Sequence, residues 1–417
     1  MATAADFRTS RNGNGRHSIP SSVLLSLWCP SPTATRFTNA TTATSTTSSG
    51  VPISVTFCAA ARPPAVSHLS LDFSGLELDR ADLSLAPMVL GTDADLALLH
   101  VPISRCATYD YFVYRVHSQV PRLDRLPSPN LESLHGLGDN SIAILSCGDG
   151  KYAVAALEPL GAVEPAFRLY LYRSGSDGRA GSWTTSQRVV VENPLRDVVC
   201  HLPDSAWRVL FHLTSKVIVL GGAKGTVGWV DLWRGILLCD VLDESPKLRD
   251  MPLPLPSFTN WGKYVEMERT DPWSWKATIW TMPIPVTWWG DWRRQCYVRS
   301  EDIDPPADIR LHFRLLHRFY RVKKEGVAAI GRTVPLGRLH MAYPTLGIAD
   351  DDADVVYLLC DGINAGLMKM VFAVDVRTET LRGMVKLDAK RRIGFFGYYF
   401  ASGISKHLKT SGNDFRL

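Results

Sequence analysis

Short segments of apolar or alternating residues follow one another along most of this chain. Gly, Asp, Ser and Pro separate these segments, and Val, Ile, Tyr and Phe are frequent within them. The pattern is typical of buried and half-buried β-strands, because successive side chains point to opposite faces of a strand. It occurs at residues 53–60, 65–75, 96–103, 109–116, 141–147, 152–157, 167–174, 216–222, 227–232 and 236–242. Helical patterns are scarce: residues 196–213 and 311–322 are ambiguous, and Pro203 interrupts the first.

Several of the separating segments have the chemistry of tight turns. Gly148-Asp149-Gly150-Lys151 predicts a hairpin turn, because Asp-Gly accepts the positive φ that such turns require. Residues 174–178 predict a longer turn. Residues 221–226 are Gly-rich but lack the residue order of a phosphate-binding loop, so they also predict a hairpin turn.

A proline-bounded motif recurs along the chain. The pattern P-x-L-x-x-[LM]-P-x-P spans residues 121–129 and 246–254, and each copy follows two predicted strands. A partial third copy begins at Leu381, after apolar segments at residues 354–360 and 370–376. Half the spacing between copies is roughly 60–67 residues, which indicates a repeated unit of about that length.

Repeated strand pairs predict an all-β fold, and we interpret them as a β-propeller-like repeat of five or six antiparallel blades. A pair of β-sandwiches is the alternative. Trp is concentrated near residues 257–300, which predicts a Trp-rich insertion. The predicted organisation is a disordered or weakly ordered tail at residues 1–38, the propeller-like domain at residues 39–408, and a C-terminal tail at residues 409–417.

Charge and cysteine content narrow the classes of function. The chain has 46 Lys and Arg against 41 Asp and Glu, a net charge of +5, and its basic residues are scattered, so nucleic acid is not the expected partner. None of the eight Cys lies at zinc-ligand spacing from another, so we expect free thiols in a reducing compartment. No apolar run approaches the roughly 20 residues that span a bilayer, so no membrane partner is expected.

The N-terminal region has two interpretations. Residues 1–50 are rich in Ser, Thr and Arg, and Asp6 is their only acid, as in organelle transit peptides. The other interpretation is a disordered tail followed by the first strand of the domain, near residues 23–28. It predicts a protein of the cytoplasm or nucleus, whereas a transit peptide would direct it to a plastid or mitochondrion.

Seven blocks of the chain resemble one known family. They are residues 39–68, 95–103, 109–115, 152–158, 227–242, 342–360 and 404–408, and the Trp-Val-Asp-Leu-Trp-Arg-Gly-Ile sequence from Trp229 is the most specific part. The family is a plant family, expanded in grasses, known only as a domain of unknown function, number 1618 in that series. The resemblance covers about Asn39 to Leu408. It brings no known catalytic residues, so it assigns none here.

The first candidate binding residues lie in that specific block. Trp229, Asp231 and Trp233 would share one face of a strand, with Arg234 next to them. Trp and Arg dominate binding hot spots, which favours a contact with a partner. Packing is the other interpretation, with Asp231 and Arg234 satisfying groups of a turn.

The second candidate set lies in the Trp-rich segment: Trp288, Trp289, Trp292 and Arg293, with Arg294 beside it. Aromatic residues interleaved with Arg can stack single-stranded bases. The same residues could form an exposed aromatic patch for a protein partner, or could simply be buried.

No sequence motif of a catalytic site is present: the chain has neither H-E-x-x-H nor G-x-S-x-G. Asp350, Asp351, Asp352 and Asp354 could hold Ca²⁺, but they lack the Gly and the distal Glu of an EF-hand loop, so a hairpin turn is expected. We expect no metal and no cofactor, and a non-enzymatic protein-interaction module with unknown protein partners. The alternatives are an enzyme or small-molecule binder with its site in the propeller channel, and nucleic-acid binding through the Trp and Arg segment.

Overall fold

The computed structural model of the protein describes a series of antiparallel sheets. It describes residues 20–30, 38–60, 62–73, 86–104, 108–116, 120–127, 139–160, 166–175, 181–192, 212–232, 234–253, 265–271, 274–283, 291–303, 341–363, 368–387 and 398–408, with Leu336 and Leu339. Within these residues the regular structure is β-strand, with short 3₁₀ segments at Asp139–Ser141 and Ile404–His407. The predicted all-β class is confirmed. The ambiguous stretches at residues 196–211 and 311–322 lie outside the described residues.

The first two meanders follow each other directly. One consists of β5 (Met88–Asp93), β6 (Leu96–Pro102), β7 (Tyr109–Arg115) and β8 (Arg122–Arg125), paired in chain order. The next consists, also in chain order, of β9 (Ile142–Ser146), β10 (Tyr152–Pro159), β11 (Ala166–Arg173) and β12 (Ser182–Glu192). The predicted turn from Gly148 connects β9 to β10, and Gly148, Asp149 and Gly150 have positive φ, as expected.

Three further meanders continue the series. β13 (Lys216–Gly221), β14 (Thr226–Asp231), β15 (Gly235–Asp240) and β16 (Leu248–Met251) join the preceding meander through a short parallel pairing of β12 with β16. A three-stranded sheet follows: β17 (Val265–Asp271), β18 (Ser274–Thr281) and β19 (Arg293–Arg299). The last meander is β20 (Met341–Leu346), β21 (Val355–Ile363), β22 (Met368–Asp375) and β23 (Thr380–Leu387).

The two ends of the chain share one sheet. Its strands are β1 (Val23–Ser26), β2 (Ala43–Thr46), β3 (Pro52–Cys58), β4 (Val66–Asp72) and β24 (Tyr399–Ser402), in the order β2-β3-β4-β1-β24. β1 pairs with β4 in parallel and with β24 in antiparallel orientation. Residues 23–26, which the domain division placed in the tail and one interpretation of the N-terminal region placed in a first strand, form β1, and Val23, Leu24 and Leu25 are buried in the sheet.

Apolar cores lie between neighbouring sheets, where side chains of the two facing sheets pack against each other. The terminal sheet shares one core with β5–β8 and another with β20–β23. The sheet β9–β12 shares cores with β5–β8 and with β13–β16, and β17–β19 shares one with β20–β23. The first strands of successive meanders also contact one another, β5 with β9, β9 with β13 and β17 with β20, and β20 contacts β24 of the terminal sheet. A 2.8 Å hydrogen bond between the hydroxyls of Thr92 and Ser402 connects β5 to β24.

The proline-bounded motif marks the fourth strand of its meander. Leu123, Leu248 and Leu381 lie in β8, β16 and β23, and their side chains are only 6%, 0% and 1% exposed. Each belongs to a different apolar core. The repeat inferred from sequence therefore reflects a buried Leu that recurs in the fourth strand of three meanders. The Trp-rich segment, predicted as an insertion, contains the separate three-stranded sheet β17–β19. In chain order this sheet follows β13–β16 and precedes β20–β23.

Replacing any one of these three Leu with Ala should destabilise the protein by about 2–5 kcal/mol, because each substitution leaves a cavity in a core. Thr380→Ala, at the exposed start of β23, is the matched control and should change the free energy of unfolding by less than about 0.5 kcal/mol. Urea unfolding measures the free energy of unfolding of each variant. Equal stability of Leu381→Ala and Thr380→Ala would contradict the placement of Leu381 in an apolar core.

The turn before β23 predicts a pH dependence. Burial tends to raise the pKa of Asp375, but the backbone N–H of Thr378 and the guanidinium of Arg382 outweigh burial and hold the pKa below its usual value. The resulting stabilisation is present at neutral pH and is lost as pH falls through that lowered pKa. We expect Asp375→Asn to cost about 1–3 kcal/mol at pH 7 and less at pH 3, which lies below the ordinary pKa of Asp. Asp350→Asn, an exposed carboxylate, is the control for urea unfolding at both pH values.

Candidate binding face

Trp229 is an internal residue. Its side chain is 0% exposed, and its indole N–H donates a 2.8 Å hydrogen bond to the carbonyl of Ser141, in the 3₁₀ turn before β9. The ring lies in the core between β9–β12 and β13–β16. Trp229 therefore joins two neighbouring sheets, as the packing interpretation predicts.

Asp231 and Arg234 form a buried ion pair at the turn from β14 to β15. Their side chains are 0% and 5% exposed, and Nη1 of Arg234 lies 3.1 Å from Oδ2 of Asp231. Oδ2 also accepts the backbone N–H of Leu213 at 2.9 Å, and Oδ1 accepts that of Arg234 at 3.2 Å. Gly235 completes the turn at φ +130°, where a Cβ would meet the carbonyl oxygen of Met251 at 2.5 Å. The carboxylate thus organises a turn and an incoming segment.

The prediction that Trp229, Asp231 and Arg234 contact a partner is therefore corrected. All three side chains are buried, and their polar atoms bond within the chain. A binding hot spot must be exposed before the partner arrives. Trp233, the fourth member of this set, lies outside the described residues.

Residues 229–263 match the family model described as protein of unknown function (DUF1618). The predicted resemblance to DUF1618 is confirmed over these residues. The matched segment begins at Trp229 and contains the ion pair and strands β15 and β16. The described part of the matched segment therefore forms the internal framework of one meander. No curated protein matches the chain.

The described Trp residues of the Trp-rich segment also take part in packing. Trp275 is 3% exposed and donates its indole N–H to the carbonyl of Leu336 at 3.2 Å. Trp292 is half-buried and donates to the carbonyl of Pro252 at 3.0 Å. Trp288 and Trp289 lie outside the described residues. Among the described Trp of this segment, none presents an exposed ring on which bases could stack.

A basic and aromatic surface, half-buried at Lys276 and exposed at Arg294, Tyr297 and Arg299, lies on the same sheet. We call Lys276, Arg294, Tyr297 and Arg299 the β18–β19 face. Tyr297 is 41% exposed, and the other exposed large apolar side chains among the described residues are aliphatic. The Lys276 ammonium and the Arg294 and Arg299 guanidinium carbons lie 5.3, 5.7 and 5.9 Å from the centre of its ring. These distances are within the range of cation–π attraction.

The strand register explains how this face forms. Lys276 lies opposite Arg299, and Thr278 opposite Tyr297, so these side chains share one side of the sheet. A bulge between Ile279 and Trp280 brings Arg294 rather than Gln295 opposite Trp280, and hence onto the same side. The other side of the sheet carries Trp275, Ala277, Ile279 and Val298, which are buried in the core shared with β20–β23.

The interface between β13–β16 and β17–β19 differs in composition from the other interfaces between sheets. Between β13–β16 and β17–β19, the buried members of the apolar cluster are Val230, Ile236, Leu238 and Met251, all from β14–β16. Met282 and Trp292, which flank β18 and β19, pack against them. Among the described residues, β18 and β19 themselves contribute no buried member. The side of β18 and β19 that faces away from the β20–β23 core is thus the basic one.

Only part of this face could be found from sequence. Arg293, a predicted site residue, is exposed, but it pairs with Thr281 beyond the group around Tyr297. The residues that sequence reasoning missed are Lys276, Tyr297 and Arg299. The Tyr-x-Arg spacing is a weak signal for a shared strand face, and nothing in the sequence indicates the bulge.

The acidic segment forms the hairpin turn predicted for it. Asp352 lies between β20 and β21 and accepts hydrogen bonds from the backbone of Ala349 at 2.7 Å, from Tyr357 at 2.9 Å and from Ser22 at 3.1 Å. Its carboxylate therefore connects the N-terminal segment to this turn. No cluster of three or more His, Cys, Asp or Glu suited to a metal occurs in the part of the chain that the structure describes. Nor does that part include a helix long and apolar enough to cross a membrane.

Proposed function

We propose that this protein is a non-enzymatic interaction module that binds a protein partner through the β18–β19 face. The observation that supports this proposal most is the exposed ring of Tyr297 among three cationic side chains. Large exposed aromatic rings and Arg are enriched where proteins bind one another, and Lys is the least typical member of the group.

The scaffold that we propose for this module is a propeller-like ring of six sheets. Its support is the recurrence of meanders, the contacts between successive first strands, and the Thr92–Ser402 hydrogen bond between the first complete meander and the last strand. A ring of this kind holds each sheet between two neighbours and presents broad outer surfaces to partners. The free buried thiol of Cys239 agrees with a reducing compartment such as the cytoplasm or nucleus.

The proposal predicts which substitution abolishes partner capture. Arg294→Ala/Arg299→Ala removes two exposed cations, and the control Arg122→Ala/Arg125→Ala removes two exposed cations from β8. We expect partners captured by the tagged wild-type and control proteins to fall at least tenfold with the β18–β19 variant. Quantitative mass spectrometry of the captures, followed by titration with each purified partner, measures the effect. A partner retained equally by all three proteins would contradict the proposed face.

An enzymatic or small-molecule role makes a different prediction. Native mass spectrometry of the purified protein would then detect a small molecule bound at one copy per chain. That result would overturn the pure interaction role, whatever the capture experiment gives.

A further inference from the structure

We infer that Asn39-Ala40-Thr41 is an internal clip of the terminal sheet, and that this use closes it to N-glycosylation in the folded protein. The three residues form an Asn-x-Thr sequon, the pattern that marks a glycan acceptor on a surface loop. No other Asn-x-Ser or Asn-x-Thr sequon occurs in the sequence. We call these residues the Asn39 clip, and its closure does not depend on the proposed interaction role.

The side-chain amide of Asn39 is held at both of its polar atoms. Oδ1 accepts hydrogen bonds from the backbone N–H of Thr41 at 2.7 Å and from the Thr41 hydroxyl at 2.6 Å. Nδ2 donates a hydrogen bond to the carbonyl of Phe57, in β3, at 3.0 Å. Turning the amide outward would break all three hydrogen bonds, so Nδ2 stays directed at the sheet.

Thr41 holds the other half of the clip inside the protein. It is only 4% exposed, and its hydroxyl accepts the backbone N–H of Phe57 at 2.9 Å. Its carbonyl accepts the hydroxyl of Tyr114, a buried residue of β7, at 2.6 Å. The clip therefore joins the segment before β2 to β3, and it connects the terminal sheet to the meander β5–β8. Of its three residues, Ala40 is the exposed one.

N-glycosylation needs the same nitrogen atom that the clip uses. The reaction forms a bond between Nδ2 and the anomeric carbon of a sugar, breaks the bond from that carbon to the pyrophosphate of a lipid carrier, and releases one amide proton. A transferase must therefore reach Nδ2 of Asn39, which lies against the Phe57 carbonyl in the folded protein. Access requires local opening of the clip, so the reaction rate should follow the small open fraction. The sequon is thus an acceptor only before the chain folds, and its presence does not indicate a secreted protein.

The test offers the folded full-length protein, and a peptide of residues 36–44, to an oligosaccharyltransferase with its lipid-linked sugar donor. Mass spectrometry should show that Asn39 is modified at least about tenfold more slowly in the protein than in the peptide. Asp149→Asn/Lys151→Thr is the matched control, because it places a second sequon in the exposed turn between β9 and β10. Position 149 of this folded variant should be glycosylated while Asn39 stays unmodified. Modification of Asn39 as fast as that of position 149 would overturn the inference.

A second test loosens the clip without altering the sequon. Tyr114→Phe removes the hydroxyl that donates to the Thr41 carbonyl, so it should speed modification of Asn39 by roughly two- to tenfold, the effect of one hydrogen bond. Tyr152→Phe is the control, because it removes the hydroxyl of a buried Tyr that bonds to Tyr172 instead. Urea unfolding confirms that both variants fold. If both speed the modification of Asn39 equally, overall stability rather than the clip controls access, and the inferred role of the clip is wrong.

Discussion

Arg234→Met should lower the free energy of unfolding by about 3–5 kcal/mol, one of the two largest effects that we expect from this structure. Removing the guanidinium leaves the Asp231 carboxylate at 0% exposure without its counter-ion, while the backbone N–H groups of Leu213 and Arg234 still donate to it. A buried charge without its counter-ion is far more costly than a missing surface contact. Urea unfolding of the purified protein measures the loss.

Two further variants test this explanation. Asp231→Asn/Arg234→Met removes both charges and keeps an amide oxygen that can accept one of the two backbone N–H groups, so it should recover at least half of the loss. Lys247→Met breaks the exposed Lys247–Glu192 pair, 64% and 48% exposed, and should cost less than about 1 kcal/mol. If Arg234→Met destabilises the protein no more than Lys247→Met does, the buried pair does not stabilise the turn.

Truncation after residue 397 should abolish cooperative folding. It removes β24, which pairs with β1 from Ser26 to Val23, and the buried side chains of Tyr398, Tyr399, Ile404 and Leu408. Each buried side chain of this kind contributes about 1.5–3 kcal/mol, so together they approach the stability of a typical domain, about 5–15 kcal/mol. The truncation also exposes an edge of β1 and parts of two cores.

A chain that ends after Leu408 is the matched control, because it keeps all of these contacts. We expect it to show the urea midpoint of the full-length protein, whereas the shorter chain shows no cooperative transition. Adding a peptide of residues 398–408 should restore part of the transition, because β24 pairs through backbone hydrogen bonds that a separate strand can form. A normal transition of the shorter chain without the peptide would contradict a structural role for the shared sheet.

Local features of the fold were predictable from the sequence. Strand alternation and apolar runs identified the central strands β6, β7, β10, β11, β14 and β15, because such strands are buried on both faces. Leu123, Leu248 and Leu381 could be aligned because each occupies the same packing position in its meander. The turn at Gly148 was predictable because its backbone conformation depends on its own residues.

The site residues were less predictable. Trp229, Asp231 and Arg234 suggest a binding surface by residue type, yet all three are buried. Residue type alone does not distinguish an exposed Arg from one that balances a buried carboxylate, since burial depends on which segment covers the turn. For Asp231 that segment includes Leu213, eighteen residues earlier.

The sequence by itself determined the strands, the hairpin turns and the repeated fourth-strand Leu, because these depend on neighbouring residues and on the period of a strand. Only the tertiary structure decided that β1 and β24, at opposite ends of the chain, complete one sheet, because such pairing depends on how the intervening sheets stack. It also decided that Lys276, Arg294, Tyr297 and Arg299 share a face, because that grouping requires the β18–β19 register and a bulge within it.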